Sequence, residues 1–339
     1  MTVYFAGESI SDFTENTNAL ASDEGVYGSS IIDFENGPTG VGSLFSDLPE
    51  TVTTPIYFSF QLSGSLTNSS GNEWSLASNP TQSTFSIWDG EGNNIFYCGF
   101  VFSPAAFQGR IQLRDGTSVD FLDLGSVVGG RYDIAYKPGV SLEIWLNRIR
   151  ILNYSGNVGN SASTVNGVGR FGVGNGDAYS TASYSNVMVT SFDTRFATMQ
   201  TVTVNTTPTT DTSVIGDPAV IPVTIDEWSR GTYEVNNIVT FDTDGQKVIY
   251  VEDNTITVPD GSAVAAVVMS HSGFQSGTSP VTNLTPILEI GATEYTGAPI
   301  ALAEAPTYRQ TVFNANPATS ATWTASDLEG LRYGFSLNT

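Results

Sequence analysis

Apolar positions along this chain recur with period two, and helical periodicity is almost absent. No window of about 12 residues carries an apolar face at i, i+3, i+4 and i+7. Short alternating runs stand between Gly, Asn, Asp and Pro instead. Tyr57–Leu62 is one, and Phe85–Trp88 ends at Asp89-Gly90. Ile95–Phe102 is nearly all apolar, as a strand covered on both faces would be. Ile111–Leu113, Val119–Leu122, Tyr132–Tyr136, Leu142–Leu146, Ile149–Tyr154 and Tyr184–Ser191 complete the series. Strands at this spacing, with turn residues between them, predict an all-β sandwich or jelly roll.

The character changes after Arg195. Residues 201–213 are Thr-rich without a bulky aromatic, which fits a linker or an exposed edge strand. Beyond them, Ile238–Asp242 and Lys247–Val251 flank a hairpin signal at Asp244-Gly245. Ala263–Met269, Pro286–Ile290, Thr307–Phe313 and Tyr333–Leu337 read as further strands. A short helix is expected at Ala325–Glu329, with Thr324 as cap, Asp327 completing a capping box and Gly330 ending it. Trp323 and Phe335 are expected to close this second, smaller sandwich. The resulting division is an N-terminal arm at 1–25, a jelly roll at 26–195, a linker or edge segment at 196–225 and a C-terminal β-sandwich at 226–339. The arm reading rests on a polar stretch in which Phe5 and Phe13 stand isolated.

Composition narrows the function. Of 339 residues only 14 % are charged, and the formal net charge is −22. Arg195 divides that charge evenly, so it is no acidic tail. A field of this sign repels phosphate backbones and anionic lipid surfaces, so neither nucleic acid nor membrane is an expected partner. Cys98 is the single cysteine, which excludes an internal disulfide and a cysteine zinc site. His271 is the single histidine, so Ser-His-Asp chemistry could run only through it; an ordinary strand-end histidine is the simpler reading. The N-terminus lacks a basic start and an apolar run, so synthesis in a cytoplasm without a signal peptide is expected. No stretch approaches about 18 apolar residues.

Gly130–Leu152 resembles the concanavalin A-like lectin/glucanase family that includes laminin-G modules. An entering strand is followed by a turn, a second strand and a returning strand. Where that family has Asn-Gly, this chain has Asn147-Arg148, and arginine tolerates positive φ poorly. Ala182–Thr190 is similar to the family's last strand. The resemblance covers residues 25–195 and implies a jelly roll. Three further stretches, Ser191–Met199, Leu288–Gly297 and Asn314–Phe335, resemble virion structural proteins of tailed bacteriophages. That second resemblance covers residues 185–339 and implies a tail or surface component of the particle, with no reaction. It implies contacts with neighbouring virion proteins and with copies of itself, a trimer by analogy, and leaves recognition of a host-surface glycan open.

Candidate chemistry is sparse. Hydrolytic members of the resembled jelly-roll family carry Glu-x-Asp-x-x-Glu on one strand face, and that motif is absent. Asp120 and Asp123 have the wrong parity, and Asp33 with Glu35 lacks a third carboxylate. Asp89–Asn94 could offer oxygen ligands to calcium through Asp89 and Glu91, with Asp177 in a similar polar loop; a solvated hairpin turn is the simpler reading. Glycan contact would fall to Trp74 and Trp88 beside Asp89 and Glu91. Trp145 should face away from Ile144 and Leu146. The glycine cluster at 167–176 lacks the Lys-Ser/Thr ending of a phosphate loop.

Overall fold

The computed structural model describes residues 1–7, 12–17, 20–22, 31–34, 43–63, 85–103, 108–114, 119–125, 129–156, 167–174, 182–199, 204–210, 243–252, 258–275, 280–304 and 307–339. The protein is all-β and divides into two compact units, Val3–Met199 and Gln200–Thr339.

The first unit is a jelly-roll sandwich of two antiparallel sheets. One has the order Ile149–Ser155, Ser141–Leu146, Gly130–Lys137, Ile56–Ser63, Ala182–Thr190, Ile31–Phe34, Leu20–Ser22, with Val3–Gly7 also paired to Ala182–Thr190. The other runs Val119–Gly125, Gln108–Arg114, Asn94–Ser103, Phe85–Asp89, Val168–Gly174, Ser43–Val52, Glu15–Thr17. Alternation decides what lies between them. Phe58, Phe60, Tyr132, Ile134, Tyr136, Leu142 and Ile144 point inward from the first sheet. They meet Phe85, Phe96 and Phe171 from the second. The ring centroids of Phe58 and Phe85 are 5.1 Å apart, and those of Phe96 and Tyr136 5.5 Å. Full burial of each ring contributes roughly 1.5–3 kcal/mol. Ile95 to Cys98 are buried on both strand faces, as the unbroken apolar run implied. Burial pushes the Cys98 thiol up to about 12, so it is an inert core residue.

One expectation fails here. Val3–Gly7 is not part of a free arm: Phe5 lies opposite Val189 in the sheet. Phe13 is fully buried, 4.9 Å from Phe5, and Phe5 is 5.0 Å from Phe171. Two aromatics isolated in a polar sequence are still enough to fill one end of a core. The glycine cluster, for which no strand was expected, holds the central strand Val168–Gly174. A Cβ on Gly169 would come within 2.6 Å of the Gly90 Cα, and one on Gly172 within 2.5 Å of the Phe45 ring. Its glycines serve close approach across the sheet.

The second unit sets a sheet of order Val204–Thr210, Lys247–Glu252, Arg332–Asn338, Asn283–Ile290, Thr293–Thr296, with Ile300–Ala301 also on Asn283–Ile290, against the pair Val267–Gly273 and Thr307–Phe313. Val204–Thr210 is an edge strand whose pairing shifts register around Pro208, where an edge tolerates the missing donor. Val267, Met269 and Phe313 of the pair pack on Leu288, Trp323, Leu328 and Leu331. Trp323 is buried and donates its indole N–H to the Phe313 carbonyl at 2.7 Å. Phe335 is partly buried against a second cluster of Val248, Tyr250, Leu284 and Leu337.

The expected strand at Ala263–Met269 begins instead at Val267 and runs to Gly273, because Val264 packs into the Trp323 cluster from outside the ladder. The expected helix is a single 3₁₀ turn, Ala325–Leu328. Asp327 accepts the Thr324 N–H at 2.7 Å, and Gly330 leaves the turn at φ +70°. Ile238–Asp242 lies outside the described residues.

Tyr250 is buried, and its hydroxyl has no hydrogen-bond partner among the described residues. Tyr250→Phe removes that unmade bond while keeping the ring that packs near Phe335. The variant is therefore expected to match or exceed the native stability, by up to about 1 kcal/mol in urea denaturation. A loss of more than about 1 kcal/mol would show that the hydroxyl is satisfied.

Candidate functional site

The outward residues of the first sheet make the most structured polar surface in the first unit. Inward Tyr132, Ile134 and Tyr136 force Arg131, Asp133, Ala135 and Lys137 to the opposite face, as Leu142 and Ile144 do for Glu143. Asp133 is almost wholly buried there. It accepts from Arg131 Nε at 3.3 Å and Nη2 at 3.2 Å, and from the Thr194 hydroxyl at 2.9 Å. Arg131 then reaches two carbonyls of the chain leaving the sandwich, Thr194 and Ala197, the latter at 2.7 Å. An ion pair between buried Asp133 and partly buried Arg131 thus fastens the exit segment onto the sheet.

That segment forms a 3₁₀ turn at Thr194–Phe196, capped by Asp193, which accepts the Arg195 N–H at 3.0 Å. The Arg195 side chain returns to the same carboxylate through Nε at 2.9 Å. This hydrogen bond is the main reason the Asp193 carboxyl lies below its usual range. The Arg195 guanidinium lies over the Trp145 ring, 4.5 Å from its centroid. Trp145 does face away from the core, and Arg195 covers it. Leu146 turns inward, with a bulge at Ile144/Trp145. Phe196 is left 76 % exposed.

Arg148 closes the arrangement. Asn147 and Arg148 have φ +50° and +68° and join the two strands in a two-residue turn. The family-like turn is kept even though glycine is missing. A left-handed conformation costs a non-glycine residue roughly 1–2 kcal/mol. The Arg148 guanidinium sits 5.4 Å from the Phe196 ring centroid. Tyr57, Ala135, Lys137, Glu143, Trp145, Arg148, Arg150, Asp193 and Arg195 line a shallow groove of about 550 Å³. Of these basic residues only Arg148 was singled out from sequence, as a departure at the turn and not as a contact; strand parity could have indicated Lys137 alone.

The residues that sequence did single out are placed differently. Trp88 lies on the outer face of the second sheet, half-buried, and donates its indole N–H to the Ser86 hydroxyl at 3.0 Å. Phe45 packs edge-on to it, with Arg170 over the Phe45 ring at 4.7 Å. Asp89 is buried. Its Oδ1 accepts the backbone N–H of Glu91 at 2.9 Å and of Asn93 at 2.7 Å, while Oδ2 accepts the Asn93 amide at 3.1 Å. It organises the hairpin turn, and Glu91 is exposed beside it. Among the described residues no group of three or more His, Cys, Asp or Glu is assembled to hold a metal. Trp74 and Asp177 lie outside the described residues. Of the four suggested glycan contacts, Trp88, Asp89 and Glu91 share one stretch of chain, and Asp89 is turned into its own turn.

No protein-family model matches this chain, and no curated protein does. Among solved structures, a sialidase is similar over 66 % of this chain and 23 % of its own, at 8 % identity and TM-score 0.36. An alginate lyase is similar over 52 % of this chain and 84 % of its own, at 15 % identity and TM-score 0.35. A carbohydrate esterase from a Shiga toxin-encoding bacteriophage is similar over 56 % of this chain and 98 % of its own, at 14 % identity and TM-score 0.36. The chain thus spans under a quarter of the sialidase. Likenesses this distant lend no activity, substrate or partner to it.

His271 sits in Val267–Gly273, opposite Arg309. Among the described residues neither ring nitrogen has a partner in hydrogen-bond geometry, although the nearby Met269 backbone favours the charged form. Burial, helped by Arg309, pushes its pKa down to about 4 from an ordinary 6.5. The folded second unit therefore keeps His271 neutral where the unfolded chain takes up a proton. Its contribution is whole above about pH 6.5 and is lost as pH falls towards about 4. The loss should be on the order of 2–3 kcal/mol. Urea denaturation from pH 7 down to pH ~4.5 should show native stability falling faster than that of His271→Leu. Parallel curves would contradict this.

Proposed function

We propose that this chain is a non-enzymatic structural component of a tailed-phage virion, at the tail, a fibre or the particle surface. It acts through contacts with neighbouring virion proteins and with copies of itself. One observation carries the reading. The Arg131–Asp133 pair ties the exit segment to the sheet, and that segment displays Phe196 between Arg148 and Arg195. An exposed aromatic flanked by guanidinium groups on a fixed mount suits burial against a protein neighbour, where aromatic and arginine anchors dominate binding. The reading assigns no reaction.

The test is quantitative mass spectrometry of purified particles. The chain should occur at fixed stoichiometry, and Phe196→Ser should lower its incorporation without lowering its Tm. Presence in infected lysate together with absence from particles would end the reading. Half-exposed Trp88 favours a second reading, recognition of a host-surface glycan on the other sheet. That reading requires saturable glycan binding that Trp88→Ala abolishes.

A further inference from the structure

The groove on the first sheet inverts the charge of the molecule. A chain of net charge −22 with only 12 basic residues places four of them, Lys137, Arg148, Arg150 and Arg195, in one lining that holds two carboxylates, Glu143 and Asp193. Of the four, Arg195 alone is ion-paired, to Asp193. Lys137, Arg148 and Arg150 have no acidic partner within ion-pair distance among the described residues. Folding has gathered cations here in a two-to-one excess over carboxylates and left three of them outside any ion pair among the described residues. Backbone strain points the same way: Arg148 holds a φ of +68°, where glycine would relieve the turn, and its guanidinium lies at the groove. A strained residue kept at a charged concavity signals a ligand.

The rest of the charge decides which ligand. A polyphosphate chain or a second copy at −22 would carry a dense negative field against an equally negative body. Beyond a Debye length of about 8 Å that repulsion is screened, so only isolated, well-spaced anionic groups gain from the local cations. The lining is also mixed. Glu143 and Asp193 oppose an acidic peptide but accept hydrogen bonds from hydroxyls, while Lys137, Arg148 and Arg150 donate to a carboxylate. Half-exposed Tyr57 adds a ring against which a saccharide can lie. We propose that this groove binds a carboxylate-bearing saccharide of the uronic-acid type, with Arg148 and Arg150 as its carboxylate contacts. The site shares Arg148 and Arg195 with the surface around Phe196, lies on the opposite sheet from Trp88, and is tested by saccharide binding rather than by incorporation into particles.

Calorimetric titration of the full chain with trigalacturonate tests it. Saturable binding is expected, weakening as salt is raised, with no binding of the carboxyl-reduced neutral trisaccharide. Arg148→Gly and Arg150→Ser should each weaken binding about tenfold or more, as loss of a charge-assisted contact does. Arg148→Gly should do so with Tm equal to or above native, because the turn is relieved. Arg170→Ser, which removes the same charge from the other sheet, should leave binding unchanged. Failure to bind trigalacturonate overturns the proposal, as does equal binding of the neutral sugar. So does tighter binding of a hexaglutamate peptide, or a native affinity in both groove variants.

Discussion

Asp133→Ala is expected to destabilise the first unit by about 2–3 kcal/mol, the upper range for a lost charged hydrogen-bond partner and less than for a fully buried ion pair, because Arg131 keeps some exposure and two carbonyl acceptors. The carboxylate is almost wholly buried and takes Arg131 Nε, Arg131 Nη2 and the Thr194 hydroxyl. Without it, the Arg131 guanidinium stays in place with no anion, and the Thr194 and Ala197 carbonyls alone hold the exit segment. Urea denaturation gives the loss, and hydrogen exchange of the amides from Thr194 to Ala197 should quicken with it. The paired change Arg131→Met with Asp133→Leu should recover much of the stability, since no charge is then stranded. It should also free the exit segment, because the bonds to its carbonyls are gone. A single-variant loss under about 1 kcal/mol would mean that water reaches the pair and that Phe196 has no rigid mount.

Gly334→Ala should be at least as damaging in the second unit. Gly334 lies mid-strand in Arg332–Asn338, opposite Ile249 on one side and Ile287 on the other. A Cβ there would stand 1.8 Å from the Val248 carbonyl oxygen and 2.8 Å from the Ile249 Cα. Both are backbone atoms in a ladder, so no rotamer change removes the clash. A loss of about 3 kcal/mol or more is expected, from overpacking together with a displaced strand. Gly291→Ala is the internal comparison. Gly291 has φ +64° in the Asn283–Ile290 to Thr293–Thr296 turn, with nothing within 4 Å of an added Cβ. Only conformational strain acts there, so about 1 kcal/mol is expected. Equal losses in thermal denaturation would mean that the sheet yields at Gly334.

The strands of both units were legible because alternation records which face is buried, and the bounds of Phe85–Asp89, Ser141–Leu146 and Thr307–Phe313 follow it to within a residue. Strands lacking that record were invisible. Val168–Gly174 is built on glycines whose purpose is close approach to residues about 80 and 125 positions away in the chain. Val3–Gly7 looked like an arm because its core contacts are Phe13 and Phe171 rather than its sequence neighbours.

The candidate site divides in the same way. Asp89-Gly90 read correctly as a turn, because an Asx carboxylate bonding its own following amides is a local device. The groove could not be read. Its cations come from Gly130–Lys137, from the turn at Asn147-Arg148, from Ile149–Ser155 and from the exit segment. Each is unremarkable in sequence, and net charge hides them beneath −22. Sequence by itself determined the all-β class and the local turns, since these depend on periodicity and local hydrogen bonding. Tertiary structure alone decided that buried Asp133 pairs with Arg131, that Arg195 covers Trp145, and that three cations outside any described ion pair share one concavity. Charge and close packing act through space, and the order of residues along a chain does not specify which ones the sheet register will bring within a few ångströms.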